Sequence, residues 1–278
     1  MTLHIENVTY GNGQFTGYFA RPARAEGPLP AVVVIQEAWG VDAHIEDVVR
    51  RFAQAGYAVL SPDLYAKNGV RPAPLAHARV SELRAFVDTA GPAVFMDEKA
   101  RAEALGKLPA DLAARVQESM GTLFGGLRDL AAHVPALLAT TKYLRDERAE
   151  TRGQKIGSVG YCMGGGLSAL LACHDPQLAV ACIYYGSSPA AELVAGIRCP
   201  VFGFYGGEDK RINDGVPPFV EAMKKAGKHL ETRTYAGAQH AFFNDERPSY
   251  HVGAARDAFV RTLEIYRKHL DPAAAPVT

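Results

Sequence analysis

A cysteine between glycines is the side chain in this sequence best placed to act as a nucleophile. Cys162 has Gly160 two positions before it and Gly164 two positions after it. An apolar run precedes the glycines and a helix-like stretch follows them, so the pattern predicts a sharp turn from a strand into a helix. At the N-terminus of that helix the macrodipole favours a thiolate, which is the form of cysteine that attacks carbonyl carbons.

The histidine and the acid that such a nucleophile needs follow later in the chain. His240 lies in a loop after the last predicted strand. Asp209 is the last residue of a Gly-Gly-Glu-Asp segment that follows the preceding predicted strand. An imidazole can accept the thiol proton and later protonate a leaving group, and a carboxylate on its other nitrogen fixes its orientation. Glu208 is the alternative to Asp209 as the acid. The alternatives to a triad are a Cys162 thiol without a chemical role, a His240 in a surface loop and an Asp209 that caps a helix. Chain order favours Cys162, Asp209 and His240.

A second polar segment follows the β-branched run at residues 31–35. It contains Glu37, Ala38 and Trp39 and ends at a glycine. The amides of Ala38 and of Met163, the residue after the nucleophile, are the predicted donors to the oxyanion that forms when a carbonyl is attacked. A carboxylate at Glu37 would be costly here unless it takes part in the chemistry or is paired, and a surface position is its alternative.

The elements that position these residues alternate between strands and helices. Strands are predicted over residues 3–10, 14–21, 31–35, 57–61, 156–160, 179–185, 200–205 and 230–235. Helices are predicted over residues 43–55, 75–87, 97–105, 112–144, 164–173, 213 or 214 to 226 and 250–270, with breaks in the fourth near Gly125 and Pro135. This order indicates an α/β fold with a mostly parallel sheet and helices on both faces. Ligands bind such sheets at the carboxyl ends of the strands, where Glu37, Cys162 and Asp209 fall.

One region departs from this alternation. Residues 66–115 hold short helical pieces separated by prolines and glycines, which predicts a helical insertion within a single domain of residues 1–278. The Ala- and Pro-rich residues 271–278 are predicted to form a frayed tail.

Composition limits the classes of partner. The chain has 278 residues, with 30 Lys and Arg against 30 Asp and Glu, so its formal charge is zero and it offers no basic field for nucleic acid or an anionic membrane. Its start lacks a signal-peptide pattern, and the apolar run at residues 31–35 is too short to cross a bilayer. A cytoplasmic protein is predicted.

The other cysteines give no sign of a metal or redox site. Cys173, Cys182 and Cys199 lie in apolar patterns, and the four cysteines form neither a CxxC pair nor a zinc-ligand spacing. They are predicted to be reduced and buried. No metal or cofactor is predicted, and a thiol redox protein is the weakest functional alternative because no resolving cysteine lies near Cys162 in the sequence.

Five segments resemble, in order, the signatures of the dienelactone hydrolase (carboxymethylenebutenolidase) family of the α/β-hydrolase superfamily. They read Gln-Glu-Ala-Trp-Gly from residue 36, Pro-Asp-Leu-Tyr from residue 62, Gly-Tyr-Cys-Met-Gly-Gly from residue 160, Gly-Gly-Glu-Asp from residue 206 and His-Ala-Phe-Phe-Asn-Asp from residue 240. The resemblance covers about residues 14–65 and 140–270. It implies an α/β-hydrolase fold in which the insertion forms a lid over the site, and a small-molecule ester or lactone as the substrate.

The resemblance also implies roles for particular residues. Cys162 would attack the carbonyl, with His240 and Asp209 as its partners. In the family, the residue that corresponds to Glu37 is thought to hold the resting thiol protonated and to take its proton when substrate binds.

The arginines that hold the substrate carboxylate in this family are not matched here. One of them lies four residues after the catalytic histidine, where this chain has Asn244, with Arg247 nearby. The second falls within the insertion, where Arg84, Arg101 and Arg115 are candidates. Dienelactone hydrolase-like hydrolysis of an ester or lactone is therefore predicted with the natural substrate left open, and a non-catalytic small-molecule-binding protein is the alternative. The candidate substrate-binding residues are Trp39, Tyr161, Phe242, Asn244 and Arg247.

Overall fold

A mixed sheet organises the larger part of the fold. The computed structural model describes residues 2–91, 93–127 and 129–271, and within them eight strands form one sheet. The strands are β1 (Leu3–Tyr10), β2 (Phe15–Pro22), β3 (Ala31–Ile35), β4 (Ala58–Pro62), β5 (Ile156–Tyr161), β6 (Val180–Tyr184), β7 (Val201–Gly206) and β8 (Leu230–Tyr235). Their order across the sheet is β1-β2-β4-β3-β5-β6-β7-β8, in which β2 pairs antiparallel with β1 and β4 and all other pairs are parallel. The predicted mostly parallel sheet is confirmed.

Helices connect the strands along the chain. Within the described residues they are α1 (Ala43–Gln54), α2 (His77–Ala90), α3 (Ala93–Met96), α4 (Glu98–Leu105), α5 (Ala110–Leu127), α6 (Val134–Lys142), α7 (Met163–His174), α8 (Lys210–Asn213), α9 (Val216–Lys225) and α10 (Val252–His269). Short 3-10 turns lie at Ala73–Leu75, Leu130–His133 and Ala191–Gly196, and a π turn at Tyr143–Glu147.

The core forms because the central strands are apolar on both faces. Every residue of β3, β5, β6 and β7 is buried, as expected for parallel strands that are covered on both sides. Val32 and Val34 pack in one cluster with apolar residues of α1 and α10. Since neighbouring residues of a strand face opposite sides, Val33 and Ile35 lie on the other face of the sheet.

The parallel register brings the carboxyl ends of the central strands to one edge of the sheet. Ile35 of β3 is paired with Gly160 of β5, and Tyr161 of β5 is paired with Tyr184 of β6. The residues that follow these strands therefore lie side by side, which is where a parallel sheet places its ligands.

Three predicted helices have different bounds in the structure. The predicted helix 112–144 is two helices, and α5 runs through Gly125 instead of breaking there, while Pro135 lies in the first turn of α6, where proline is tolerated. The helix predicted from residue 213 begins at Val216, after the separate short helix α8. The last helix begins at Val252 because the ring of His251 accepts a hydrogen bond from the amide of Ala254 and caps it. Beyond residue 271, the predicted tail lies outside the described residues.

The irregular region forms a compact unit of its own, Tyr65–Asp129, while the sheet unit comprises the chain on either side of it. Ion pairs join α2 to α5 within this unit, with Arg79 to Glu118 at 2.8 Å and Arg115 to Glu82 at 3.0 Å. The unit extends past the predicted boundary at residue 115 because α5 continues to Leu127. Its role as a lid stays a prediction.

The arginines proposed within this unit have partners inside it. Arg84 lies 4.0 Å from Asp88, and Arg101 donates to the carbonyl of Val94 at 3.3 Å. Their role in substrate binding stays a prediction.

The hydropathy of the helices indicates whether any of them could cross a membrane. In the described part of the chain, no helix is both long enough and apolar enough to cross a bilayer.

Candidate active site

The backbone of the turn that carries Cys162 is strained at the cysteine itself. Cys162 lies between the end of β5 and the start of α7, with φ of 54° and ψ of −112°. A positive φ at a residue other than glycine costs on the order of 1–3 kcal/mol and persists only where the surroundings enforce it. The amide of Cys162 donates to the carbonyl of Tyr184 at 3.0 Å, and its carbonyl accepts from the amide of Gly165 at 3.0 Å. These bonds hold the thiol at the edge of the sheet.

The glycines around Cys162 are required because backbone fills the space of a side chain. A Cβ atom on Gly160 would overlap the carbonyl group of Gly164, and one on Gly164 would overlap the carbonyl oxygen of Ile35. The predicted sharp turn is therefore explained by contacts between β5, α7 and β3.

We expect Gly160→Ala to lower the free energy of unfolding by about 2–3 kcal/mol, since the new methyl group must displace backbone. Gly253→Ala is the control, because its Cβ would meet only the His251 ring, at 3.6 Å and beyond. Alanine in a helix should leave stability unchanged or raise it by up to about 1 kcal/mol. Urea unfolding followed by circular dichroism measures both variants, and equal midpoints would contradict this account of the turn.

The three predicted catalytic side chains form one connected chain. Nε2 of His240 lies 3.2 Å from Sγ of Cys162, and Nδ1 of His240 lies 2.5 Å from Oδ2 of Asp209. Asp209 precedes α8 but makes no capping hydrogen bond with its side chain, so the carboxylate serves the histidine and not the helix. Glu208, the alternative acid, is exposed.

Two loops are joined so that Asp209 meets His240. The amide of Gly207 donates to the carbonyl of Tyr235 at 2.8 Å, and the amide of Glu208 donates to the carbonyl of Ala238 at 3.0 Å. The loop that carries Asp209 is therefore hydrogen-bonded to the end of β8 and to the loop that carries His240, through residues just before each of the two.

Charge on the sulfur changes the titration of the histidine. Burial alone lowers the pKa of His240, but the negative charge of a Cys162 thiolate and the hydrogen bond to Asp209 outweigh it and raise the pKa to about 10. With its pKa raised in this way, the imidazole is protonated near neutral pH.

Glu37 is buried and paired, so its predicted surface alternative is wrong. It is 4% exposed. Its Oε1 accepts from the hydroxyl of Tyr185 at 3.2 Å, and its Oε2 accepts from Nδ2 of Asn244 at 2.8 Å. In the described residues neither oxygen is hydrogen-bonded to Cys162.

Tyr185 is a residue of this site that the sequence analysis missed. It follows β6, has φ of 40°, and is fully buried, and its ring centroid lies 5.2 Å from that of His240. Burial and the adjacent Glu37 carboxylate hold the pKa of its hydroxyl well above the usual value, so it stays a donor. Its place at the carboxyl end of a buried strand is the signal that could have indicated it.

Two of the candidate substrate-binding side chains, Tyr161 and Phe242, lie in the core instead. Both are fully buried. Tyr161 stacks on Phe243 with centroids 5.1 Å apart, and Phe242 packs 5.3 Å from Tyr235. Asn244 is also fully buried and binds Glu37. These three side chains are therefore corrected from ligand contacts to parts of the supporting structure.

The other two candidates form a partly exposed pair. The guanidinium of Arg247 lies 5.8 Å from the centroid of the Trp39 ring, a distance at which a cation is attracted to the ring. Ala38 lies between Glu37 and Trp39, and Met163 is the first residue of α7. The roles of these residues toward a substrate stay predictions.

The remaining cysteines are buried and poor nucleophiles. All four cysteines are free, and only Cys162 is partly exposed. Burial raises the pKa of Cys173 to about 11 and of Cys199 to about 12, and it raises the pKa of Cys182 further. In the residues that the structure describes, no group of three or more His, Cys, Asp or Glu side chains could hold a metal ion.

The mostly parallel sheet with its connecting helices and the sharp strand-to-helix turn at Cys162 define the fold of an α/β-hydrolase. The chain belongs to the dienelactone hydrolase family, whose model matches residues 15–270. A solved structure described as "Putative Dienelactone Hydrolase from Klebsiella pneumoniae subsp. pneumoniae MGH 78578" is similar at a TM-score of 0.63 and 28% identity, over 95% of this chain and 98% of that chain.

Curated relatives agree with this assignment. A protein of Saccharolobus solfataricus named "Putative carboxymethylenebutenolidase" is 32% identical over 247 residues, which are 88% of this chain and 92% of that protein. An Escherichia coli (strain K12) protein of the same name is 30% identical over 265 residues, 91% of this chain and 82% of the relative. The predicted family resemblance is confirmed, and the family indicates a hydrolase.

Proposed function

We propose that this protein is a cysteine-dependent hydrolase of carboxylic esters or lactones that works through an acyl-enzyme. The observation that carries the proposal is the continuous contact from Cys162 Sγ through His240 to Asp209, at 3.2 Å and 2.5 Å. Nucleophile, base and orienting acid are within hydrogen-bond reach of one another, which is the geometry that acyl transfer requires.

The first half-reaction forms a thioester. The Cys162 thiolate attacks the carbonyl carbon, and the amides of Ala38 and Met163 donate to the oxygen that becomes negative. As the tetrahedral intermediate collapses, the carbon–oxygen bond of the leaving group breaks, and the imidazolium of His240 gives it a proton. Asp209 holds the ring with its protonated nitrogen directed at the leaving oxygen.

The second half-reaction regenerates the thiolate. Neutral His240 takes a proton from a water molecule while the water attacks the thioester carbonyl. Collapse expels the Cys162 thiolate and releases the carboxylic acid, and the proton stays on His240, so the starting ion pair is restored. Trp39 and Arg247 are the partly exposed side chains of this region that are proposed to contact the substrate.

Trapping the thioester tests the proposal. Mixing the protein with 4-nitrophenyl acetate should give a burst of nitrophenol followed by a slower steady rate. Rapid acid quenching and peptide mass spectrometry should then find one acetyl group on the peptide that contains Cys162. Prior alkylation of Cys162 with iodoacetamide is the control and should remove both signals. Absence of acylation and of hydrolysis across a panel of esters and lactones would favour a non-catalytic binding protein.

A further inference from the structure

Strand β8 is an outermost strand of the sheet and has one open side. It pairs with β7 in an unbroken register, and the residues from Glu231 to Thr234 are exposed. An exposed outer strand can accept a strand from another chain, and charges, prolines or bulges usually prevent this. β8 contains no proline and carries one charge of each sign, Glu231 and Arg233. The position of these two charges therefore decides which strand fits.

The bonds from β8 to β7 determine which backbone groups of β8 face its open side. The carbonyls of His229 and Tyr235 accept from the amides of Val201 and Gly207, at 3.1 Å and 2.8 Å. In a parallel ladder, alternate residues of a strand bond to the same neighbour. The odd-numbered residues of β8 therefore bond to β7. The outward-facing N–H and C=O groups belong to the even-numbered residues Leu230, Thr232 and Thr234.

The side chains of β8 favour a second copy of the same strand. An antiparallel partner must place outward-facing residues opposite one another. When Thr232 lies opposite Thr232 of the second copy, Leu230 lies opposite Thr234, and Glu231 lies directly opposite Arg233. Moving the two-fold axis to Glu231 or to Arg233 would set like charges opposite each other, which is destabilising. β8 is therefore complementary in charge to itself in one register.

Both charged side chains can reach a partner across the open side. In the part of the chain that the structure describes, Glu231 forms neither an ion pair nor a side-chain hydrogen bond. Nε of Arg233 lies 2.8 Å from Oδ2 of Asp257 on α10, and a guanidinium has further donors for a second carboxylate. A cleft of about 210 Å³, lined in part by Glu231, Arg233 and Arg261, separates this face of β8 from α10. The cleft leaves room for the side chains of a second strand.

The outermost strand on the other side of the sheet, β1, is less suited to this pairing. Its one carboxylate, Glu6, already lies 2.6 Å from Arg148 and 3.1 Å from His4. β1 contains no lysine or arginine that could face a carboxylate of a second copy. Charge complementarity therefore favours β8 over β1.

We propose that two copies of this chain form a two-fold symmetric dimer in which their β8 strands pair antiparallel about Thr232. The outward-facing residues form pairs that each exchange two backbone hydrogen bonds. A Glu231–Arg233 pair forms on either side of the axis, so the same surface serves both copies. The two eight-stranded sheets join into one continuous sheet. This assembly goes beyond the proposed hydrolysis and does not depend on it.

Charge reversal tests the register. Sedimentation equilibrium of the full chain measures the dissociation constant of the dimer. Glu231→Arg and Arg233→Glu each set like charges opposite one another on both sides of the axis, so each should raise this constant at least about tenfold. The double variant restores opposite charges and should return to within about threefold of the wild type. Glu221→Arg makes the same charge change at an exposed position of α9 and should leave the constant unchanged.

A backbone variant tests the hydrogen bonds. Thr232→Pro removes an N–H group that faces the open side and makes no bond to β7, so the fold should persist while the dimer dissociates. Thr232→Ala keeps the N–H group and is the matched control, which should remain dimeric. Circular dichroism of each variant checks that the fold is retained.

Three results would overturn the proposal. The first is a wild-type chain that stays monomeric at its highest soluble concentration. The second is a dimer whose dissociation constant is unchanged by both single reversals and by Thr232→Pro. The third is a double variant that has native circular dichroism and dissociates as readily as the single variants, which would exclude Glu231 opposite Arg233.

Discussion

Cys162→Ala is expected to lower kcat/KM for a small activated ester by at least about 10⁴-fold, because loss of the nucleophile removes the acyl-enzyme route altogether. Among the described residues, Cys162 has the only sulfur within hydrogen-bond reach of His240. Its Sγ lies 3.2 Å from Nε2 of the histidine. Residual hydrolysis would come from the oxyanion donors and from binding alone. Initial rates of 4-nitrophenyl acetate hydrolysis measure the effect.

Cys173→Ala is the matched control. Cys173 lies on α7, the helix that follows Cys162, but it is only 9% exposed, and burial raises the pKa of its thiol to about 11. Its replacement should leave the rate of hydrolysis near that of the wild type. Equal activity in the Cys162 and Cys173 variants would show that Cys162 is not the nucleophile.

Strand order was enough to predict where three of the candidate site residues lie in the fold. Glu37, Cys162 and Asp209 each follow a strand of the parallel sheet, and parallel strands end at a common edge. The turn glycines were predictable for the same local reason, since a side chain at Gly160 or Gly164 would meet backbone.

Side-chain direction explains the errors at Tyr161 and Phe242. Tyr161 directly precedes Cys162, and neighbouring residues at a strand end face opposite sides, so its ring enters the core. Phe242 follows Ala241, which has a left-handed φ of 60°, and its ring is fully buried. Nearness in sequence to a catalytic residue therefore gave the wrong interpretation at both positions.

The surroundings of Glu37 could not be predicted because they join distant parts of the chain. Tyr185 and Asn244 lie 148 and 207 residues from Glu37. Their contacts depend on how the loops after β6 and β8 close, and no local pattern encodes that closure. The sequence indicated only that a carboxylate at this position had to be paired.

Asp209→Asn is expected to lower kcat by about 10³–10⁴-fold, in line with the loss seen when a triad carboxylate is replaced by its amide. The uncharged amide can also donate to Nδ1 through its NH2 group, so the tautomer of the ring is no longer fixed, and the charge that favours the protonated ring is lost. The pKa of His240, raised to about 10 in the wild type partly by Asp209, should fall. Because His240 must be protonated to pair with the thiolate and to release the leaving group, activity should then decline at lower pH than in the wild type.

Glu208→Gln distinguishes a specific role of Asp209 from a general loss of negative charge. Glu208 is the neighbouring residue and carries the same charge, but its side chain is exposed, whereas Asp209 is 8% exposed and bonded to His240. The Glu208 variant should keep wild-type kcat and the wild-type pH profile. A comparable loss in both variants would assign the effect to the field of the loop, and a loss in the Glu208 variant alone would make Glu208 the acid. Because the two substitutions remove the same formal charge one residue apart, the burial of Asp209 and its contact with His240 separate their expected results.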